Sequence, residues 1–231
     1  MKNKKPVKKI TVLLAEDHLI VREGFRSLLK GETDLQLVGE AETGRQAVQL
    51  TKKLRPAVVV MDIAMPQLNG LEAARQIMET IPTTKVVMLS AHSDEAYVEQ
   101  ATAAGAMGYL IKQTSSHDLC KAIREVHNGN TFFSPSIGKQ VKNQSKKSPK
   151  RDELGMKRSA GLSSREVEVL QLVAEGKANK ETASELGISI KTVEKHRQHL
   201  MQKLNIHDTA GLTRYAISSG IIESSVQLTI M

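Results

Sequence analysis

The run VVVMDIAMPQLNG, residues 58–70, carries an apolar stretch up to a single acid, Asp62. Val58, Val59, Val60 and Met61 predict a strand buried on both faces, and the Pro and Asn-Gly that follow predict a loop. Asp62 therefore stands at the carboxyl end of a strand, the edge at which open α/β sheets bind ligands. Three other apolar runs end in chemistry. ITVLLAED closes on the adjacent acids Glu16 and Asp17, KVVMLSA brings the hydroxyl of Ser90, and AMGYLIK brings Lys112. Three carboxylates at one edge repel each other unless a cation sits between them, and hard oxygen donors suit Mg²⁺. An ionised Asp beside that ion can attack phosphorus, while a lysine and a hydroxyl hold the oxygens of the transferred group. Taken singly, Asp62 has an alternative reading as a helix cap, and Lys112 and Ser90 read first as a solvated strand end and a strand-end hydrogen bond. Their coincidence at four strand ends points to phosphoryl chemistry.

Bringing those ends together requires a particular scaffold. A helix with Val21, Phe25, Leu28 and Leu29 on one face follows the first strand, and LQLVGEA gives the second. Further helices carry Ala47, Leu50 and Leu54, then Leu71, Ala74, Ile77 and Met78, then Tyr97, Ala101 and Ala104, and last Leu119, Ile123 and Val126. Five strands alternating with five helices predict an α/β fold, a flavodoxin-like doubly wound five-stranded parallel sheet with right-handed crossovers.

At 231 residues the chain is long enough for two domains, and its pattern changes midway. Its one cysteine, Cys120, lies at helical spacing with Leu119, Ile123 and Val126 and reads as a small buried hydrophobe. The lack of an internal disulfide, of a secretory segment and of an apolar run able to span a bilayer leads us to expect a cytoplasmic protein. The net charge of +8 is unevenly spread. Residues 1–133 carry 17 Lys and Arg against 15 Asp and Glu, residues 134–160 carry 8 against 2, and residues 161–231 carry 8 against 8. The basic opening MKNKKPVKK reads as a frayed tail, and 134–160, polar and nearly free of large apolar residues, as a basic flexible linker.

Beyond the linker, Ser163 and Glu166 have capping-box spacing ahead of Val167, Leu170, Val173 and Ala174. A short helix through Ala183 and Leu186, a turn at Gly187, a longer helix with Val193, Leu200 and Leu204 inward, and a last helix from Asp208 through Leu212, Tyr215 and Ala216 complete an all-α four-helix domain. On the longer helix the outward stripe is Lys191, Glu194, Lys195, Gln198 and Gln202, residue types that read guanine, cytosine and adenine edges. Arg197 and Lys203 add cations for phosphates, and Leu212 with the outer face of the last helix is a candidate dimer contact. A plain helical dimerisation module is the alternative reading of this segment.

Residues 10–128 resemble the receiver domain of bacterial two-component response regulators: the acidic pair Glu16 and Asp17, the acceptor Asp62 in MDIAMPQLNG, the switch residues Ser90 and Tyr109, and Lys112. The resemblance implies a phosphoryl group taken from a sensor histidine kinase, with Mg²⁺ held by Asp17, Asp62 and the carbonyl of Ala64 directly and by Glu16 through water. It also implies that a displaced Ser90 hydroxyl frees space for Tyr109 to swing inward. Gln113 stands after Lys112 where the family often has Pro, which speaks against a cis peptide there. Residues 161–223 resemble the LuxR-type helix-turn-helix of NarL/FixJ response regulators in LSSREVEVLQLVAEG, NKETASELGIS and KTVEKHRQHLMQKL. That implies DNA contacts by Glu194, Lys195 and Gln198, with Thr192, His196 and Arg197 nearer the backbone, and a homodimer on DNA with no membrane partner. His196 also reads as a packed histidine. A Mg²⁺-dependent phosphohydrolase is the competing reading of the acidic site, and Ala64 argues against it, because no second acid stands two residues after Asp62 for turnover.

Overall fold

The computed structural model describes residues 9–91, 93–113, 116–134 and 161–222, which fall into two compact units. In the first, strands β1 (Ile10–Ala15), β2 (Leu35–Ala41), β3 (Val58–Asp62), β4 (Lys85–Ser90), β5 (Gly108–Ile111) and β6 (Phe132–Phe133) form one sheet in the order β2-β1-β3-β4-β5-β6. Every pairing is parallel. The crossovers are α1 (Leu19–Lys30), α2 (Gly44–Leu54), α3 (Gly70–Thr80), α4 (Glu95–Ala103) and α5 (Ser116–His127).

All five residues of β3 are buried because helices cover both faces. Val58 and Val60 pack with Val12, Leu14, Phe25, Leu29, Leu119 and Ile123 on the side of α1 and α5. Val59 and Met61 point the other way, into Leu13, Met88, Ala73, Ile77 and Ala101 beneath α2, α3 and α4. Removing one such Val or Leu from water contributes ~1.5–3 kcal/mol, so the continuous apolar run is what holds β3 at the centre of the sheet. Cys120 is buried in the α1/α5 layer, 3 % exposed. Leu28, expected on the inner face of α1, is 37 % exposed, since Phe25 and Leu29 already fill the contact with the sheet.

The sheet has six strands rather than five. Phe132 donates its N–H to the carbonyl of Met107, and Ser134 donates to that of Tyr109. The Ser134 hydroxyl accepts from the N–H of Ile111, 3.2 Å away. Ser134, expected at the head of the linker, is thus buried at the sheet edge. Residues 135–160, the rest of the expected linker, lie outside the described residues, as do the tails 1–8 and 223–231.

The second unit contains α6 (Ser164–Ala174), α7 (Asn179–Leu186), α8 (Ile190–Leu204) and α9 (Thr209–Ser218) around Leu170, Val173, Leu186, Val193, Leu200, Leu212 and Ala216. Ser163 and Glu166 make the reciprocal capping box at the start of α6. Gly187 ends α7 at φ 63°, a left-handed turn that a glycine adopts without steric cost, and Ser189 caps α8 by accepting from the N–H of Thr192. Asp208 caps α9 in the same way through Gly211. No helix among the described residues is long and apolar enough to cross a membrane.

Candidate functional site

The strand register assembles the acidic site. Ala15 pairs with Met61, so the next residues, Glu16 and Asp62, continue side by side past the end of the ladder. Ser90 lies opposite Ile111, which brings Lys112 up one step later, and the Lys112 N–H donates to the Ser90 carbonyl at 2.8 Å. Lys112 Nζ donates to Asp62 Oδ2 at 2.8 Å and to Glu16 Oε1 at 3.1 Å. Ligand atoms of Glu16, Asp17, His18 and Asp62 all lie within 4.8 Å of one another.

The loop after β3 is wound tightly over the site. Gly70 donates its N–H to the Ile63 carbonyl, and a Cβ at Gly70 would stand 1.9 Å from the Asp62 carbonyl oxygen. Asn69 accepts from the N–H of Glu72 at 2.9 Å and so starts α3 immediately beyond. The Asn-Gly of the motif therefore sets how closely the chain returns to the acceptor. The Ala64 carbonyl takes no part in the described backbone hydrogen bonds. No peptide bond among the described residues is cis, as Gln113 led us to expect.

Electrostatically the site is short of positive charge. Burial, then the neighbouring charge of Glu16, push Asp62 up to about 7 against the opposing pull of Lys112. Burial works to depress the Lys112 ammonium, but Asp62 and Glu16 outweigh it and the group is raised. His18 likewise is depressed by burial yet raised overall by Asp17 and by its hydrogen bond to Glu16. Even with these partners, Glu16 Oε2 is buried without a hydrogen-bond partner, and Asp17 Oδ1 has only the ion-pair contact of His18 Nδ1 at 3.0 Å, outside hydrogen-bond geometry. An orphaned carboxylate oxygen beside two further carboxylates suits a hard divalent cation.

Ser90 and Tyr109 are 2 % and 1 % exposed and share a side-chain hydrogen bond. Burial pushes the Tyr109 phenol up to about 12. The ring already lies inward here, packed in the layer of Val59, Met61 and Met88, so the expected inward swing is not a step open to this conformation.

On α8, Val193 and Leu200 face the core while Lys191, Glu194, Lys195, Gln198 and Gln202 are exposed. Thr192, His196 and Arg197 are half-buried. Arg197 donates to Asn179 Oδ1 at 2.8 Å and Thr209 Oγ1 at 3.3 Å, tying α8 to the starts of α7 and α9. Burial and the charge of Arg165 hold the half-buried His196 imidazole below its ordinary range. Lys203 donates to Glu166 Oε2 at 2.7 Å. Leu212 is wholly buried, 0 % exposed, which removes it as a dimer contact: the 3.6-residue period turns it onto the core face of α9.

Residues 12–124 match the response regulator receiver domain, and residues 160–216 match the luxR family of bacterial regulatory proteins. The transcriptional regulatory protein YxjL of Bacillus subtilis is 37% identical across 93% of this chain and 98% of its own. The chain belongs to the LuxR-type two-component response regulators. The oxygen regulatory protein NreC of Staphylococcus carnosus is 35% identical across 92% of this regulator and 99% of its own length. Among solved structures, an RcsB–DNA complex matches with TM-score 0.55 and 27% identity over 92% of this chain and 99% of that one. This response regulator is thus a transcription regulator with a receiver domain and a DNA-binding domain, not an enzyme.

Reasoning from sequence missed three members of the site. His18 Nδ1 stands 3.1 Å from Glu16 Oε1 and 3.0 Å from Asp17 Oδ1. Arg22 and its partner Glu42 lie behind the acids. His18 directly follows the acidic pair, a signal within reach. Arg22 reads as a solvated helix charge, and nothing local reveals that it is 6 % exposed.

Proposed function

We propose that Asp62 accepts a phosphoryl group from a phosphohistidine of a sensor histidine kinase, and that this switches DNA binding by the second unit. The observation that carries the reading is a buried carboxylate at the end of β3, held by Lys112 and flanked by the acids Glu16 and Asp17, with Glu16 Oε2 left unpartnered. An Asp62 oxygen forms the new P–O bond while the P–N bond breaks and its electron pair returns to the imidazole. Lys112 neutralises charge on the transferred group, and the Ser90 hydroxyl donates to it, loosening the Ser90–Tyr109 contact. Asp17, Asp62 and the Ala64 carbonyl would hold Mg²⁺, with Glu16 acting through water. The ion would supply charge neutralisation at the phosphoryl oxygens.

The reading places receiver function in 10–128, the basic segment in 134–160 with Ser134 moved to the sheet, and DNA recognition in 161–223. Glu194, Lys195 and Gln198 read bases; Lys191 and Thr192 lie at the backbone, and His196 and Arg197 position the helix. DNA-bound and dimeric structures of RcsB support a homodimer on DNA. With DNA as partner and no membrane-spanning helix described, we place the protein in the cytoplasm. Labelling the full chain with acetyl phosphate and Mg²⁺ tests the acceptor. Wild type should take up base-labile phosphate and Asp62→Asn none. Stoichiometric labelling of Asp62→Asn would refute the assignment.

A further inference from the structure

Glu16 and Asp17 sit where β1 has run out of partners. The last β1 residue in the ladder is Ala15, and Glu16 keeps one strand-like bond, from its N–H to the Ala41 carbonyl. The carbonyls of Glu16 and Asp17 are then held by one side chain. Arg22 Nη1 donates to Glu16 O at 2.7 Å and lies 3.3 Å from Asp17 O. Its Nη2 donates to Glu42 Oε1 at 2.7 Å, and its Nε stands 3.7 Å from Glu40 Oε2. Arg26 holds the same Glu40 carboxylate at 2.9 Å. The guanidinium is a rigid planar fork, so fixing one edge on the carboxylates of β2 and the turn after it fixes where the other edge presents its donors. The turn that aims both acidic side chains is thereby braced against β2 rather than left to loop energetics.

We infer that Arg22 is a positioning residue for the cation site: it fixes the backbone of Glu16 and Asp17 so that their side chains converge with Asp62. The inference rests on the cation reading of that site. Arg22 touches no reacting atom and acts through the two carbonyls. Groups that orient ligands in this way typically change metal affinity about 10- to 100-fold when removed. A lysine at this place retains the charge but not the fork, so it cannot span both carbonyls and Glu42.

The test uses the full chain, with Mn²⁺ as probe. Free Mn²⁺ is read by its EPR signal, Mg²⁺ competes, and the rate of acetyl phosphate labelling is followed against Mg²⁺ concentration. Arg22→Gln should weaken Mn²⁺ binding roughly tenfold, Arg22→Lys nearly as much, and Glu42→Gln about two- to threefold. Saturating Mg²⁺ should return the labelling rate of each variant to within about twofold of wild type, and because a bound ion also stabilises a weakened fold, the metal-free melting temperature is measured beside it and should stay near that of wild type. A folded Arg22→Gln with the wild-type Mn²⁺ midpoint overturns the inference, as does an Arg22→Lys indistinguishable from wild type. Should Arg22→Gln fail to fold, Glu42→Gln decides, since its side chain is 63% exposed and an unmoved midpoint overturns the inference. Wild type that takes up no Mn²⁺ overturns the cation reading itself, a result distinct from variants that bind like wild type.

Discussion

Replacing Asp62 by Asn should make the fold more stable at alkaline pH while removing phosphate acceptance. An unfolded aspartate titrates near ~3.9, whereas Asp62 in the fold is pushed up to about 7. The folded chain therefore holds this proton more tightly than the unfolded chain. The stability it contributes is present below pH ~3.9 and is lost as pH rises to about 7, above which the loss is complete. Roughly three pH units of difference correspond to ~4 kcal/mol as an upper bound. Asn removes that penalty, and because the raised value already includes the opposing pull of Lys112, the gain at pH 8 is at most ~4 kcal/mol. At pH 5 the folded acid is still neutral but the unfolded aspartate is already ionised, so only the part of the loss between ~3.9 and 5 has been incurred and the difference should shrink to about a third, ~1.5 kcal/mol. Calorimetric melting of wild type and Asp62→Asn in chelator at both pH values measures this, because the second unit is common to the two proteins and drops out of the difference. A gain of up to roughly 10 °C at pH 8 that falls to about a third at pH 5 is expected. Equal melting shifts at both pH values would refute the desolvated, repelled carboxylate. Added Mg²⁺ should cut the advantage, since the cation reverses the local charge balance.

Gly70→Ala should destabilise the receiver by ~2 kcal/mol or more and abolish acetyl phosphate labelling, because the added methyl meets the Asp62 carbonyl; wild-type labelling would contradict the tight return of the loop. Lys195→Gln should weaken DNA binding with no change in melting temperature, whereas Arg197→Ala should lose both affinity and ~1–2 kcal/mol of stability through Asn179 and Thr209; equal melting of the two variants would count against that division. Replacing Lys146, Lys147, Lys150 and Arg151 by Gln should flatten the salt dependence of DNA binding by roughly 0.9 in log–log slope for each phosphate no longer neutralised, leaving the preferred sequence the same. Lys203 and Arg197 are already engaged within the unit, which lowers the number of its cations open to phosphates; an unchanged slope would leave the basic segment no role on DNA.

The strands and the acidic site were legible because their signals are local. An unbroken run such as VVVM fits a doubly covered strand, and the residue after it stands at the binding edge, so Asp62, Lys112 and Ser90 could be grouped from topology alone. What escaped detection depends on partners far away in sequence. Phe132 and Phe133 are too few to show a two-residue period and become a strand only because β5 offers an open edge. The depth of Arg22 comes from carboxylates on β2 and just beyond it, and the exposure of Leu28 comes from Phe25 and Leu29 having taken the available space. The buried Leu212 shows the reverse failure, a residue credited to a surface although its helical period placed it in the core.

The contact between Lys112 and Glu16 joins residues 96 apart in the chain. During synthesis β1, β3 and their acids leave the ribosome well before β5, and a parallel sheet of such long-range pairings closes late. An unfinished chain has acidic residues but neither the lysine nor the closed edge that surrounds Asp62. The assembled site therefore exists only in a chain synthesised past β5, and a copy that ends before Lys112 carries the acids without the cation that holds them.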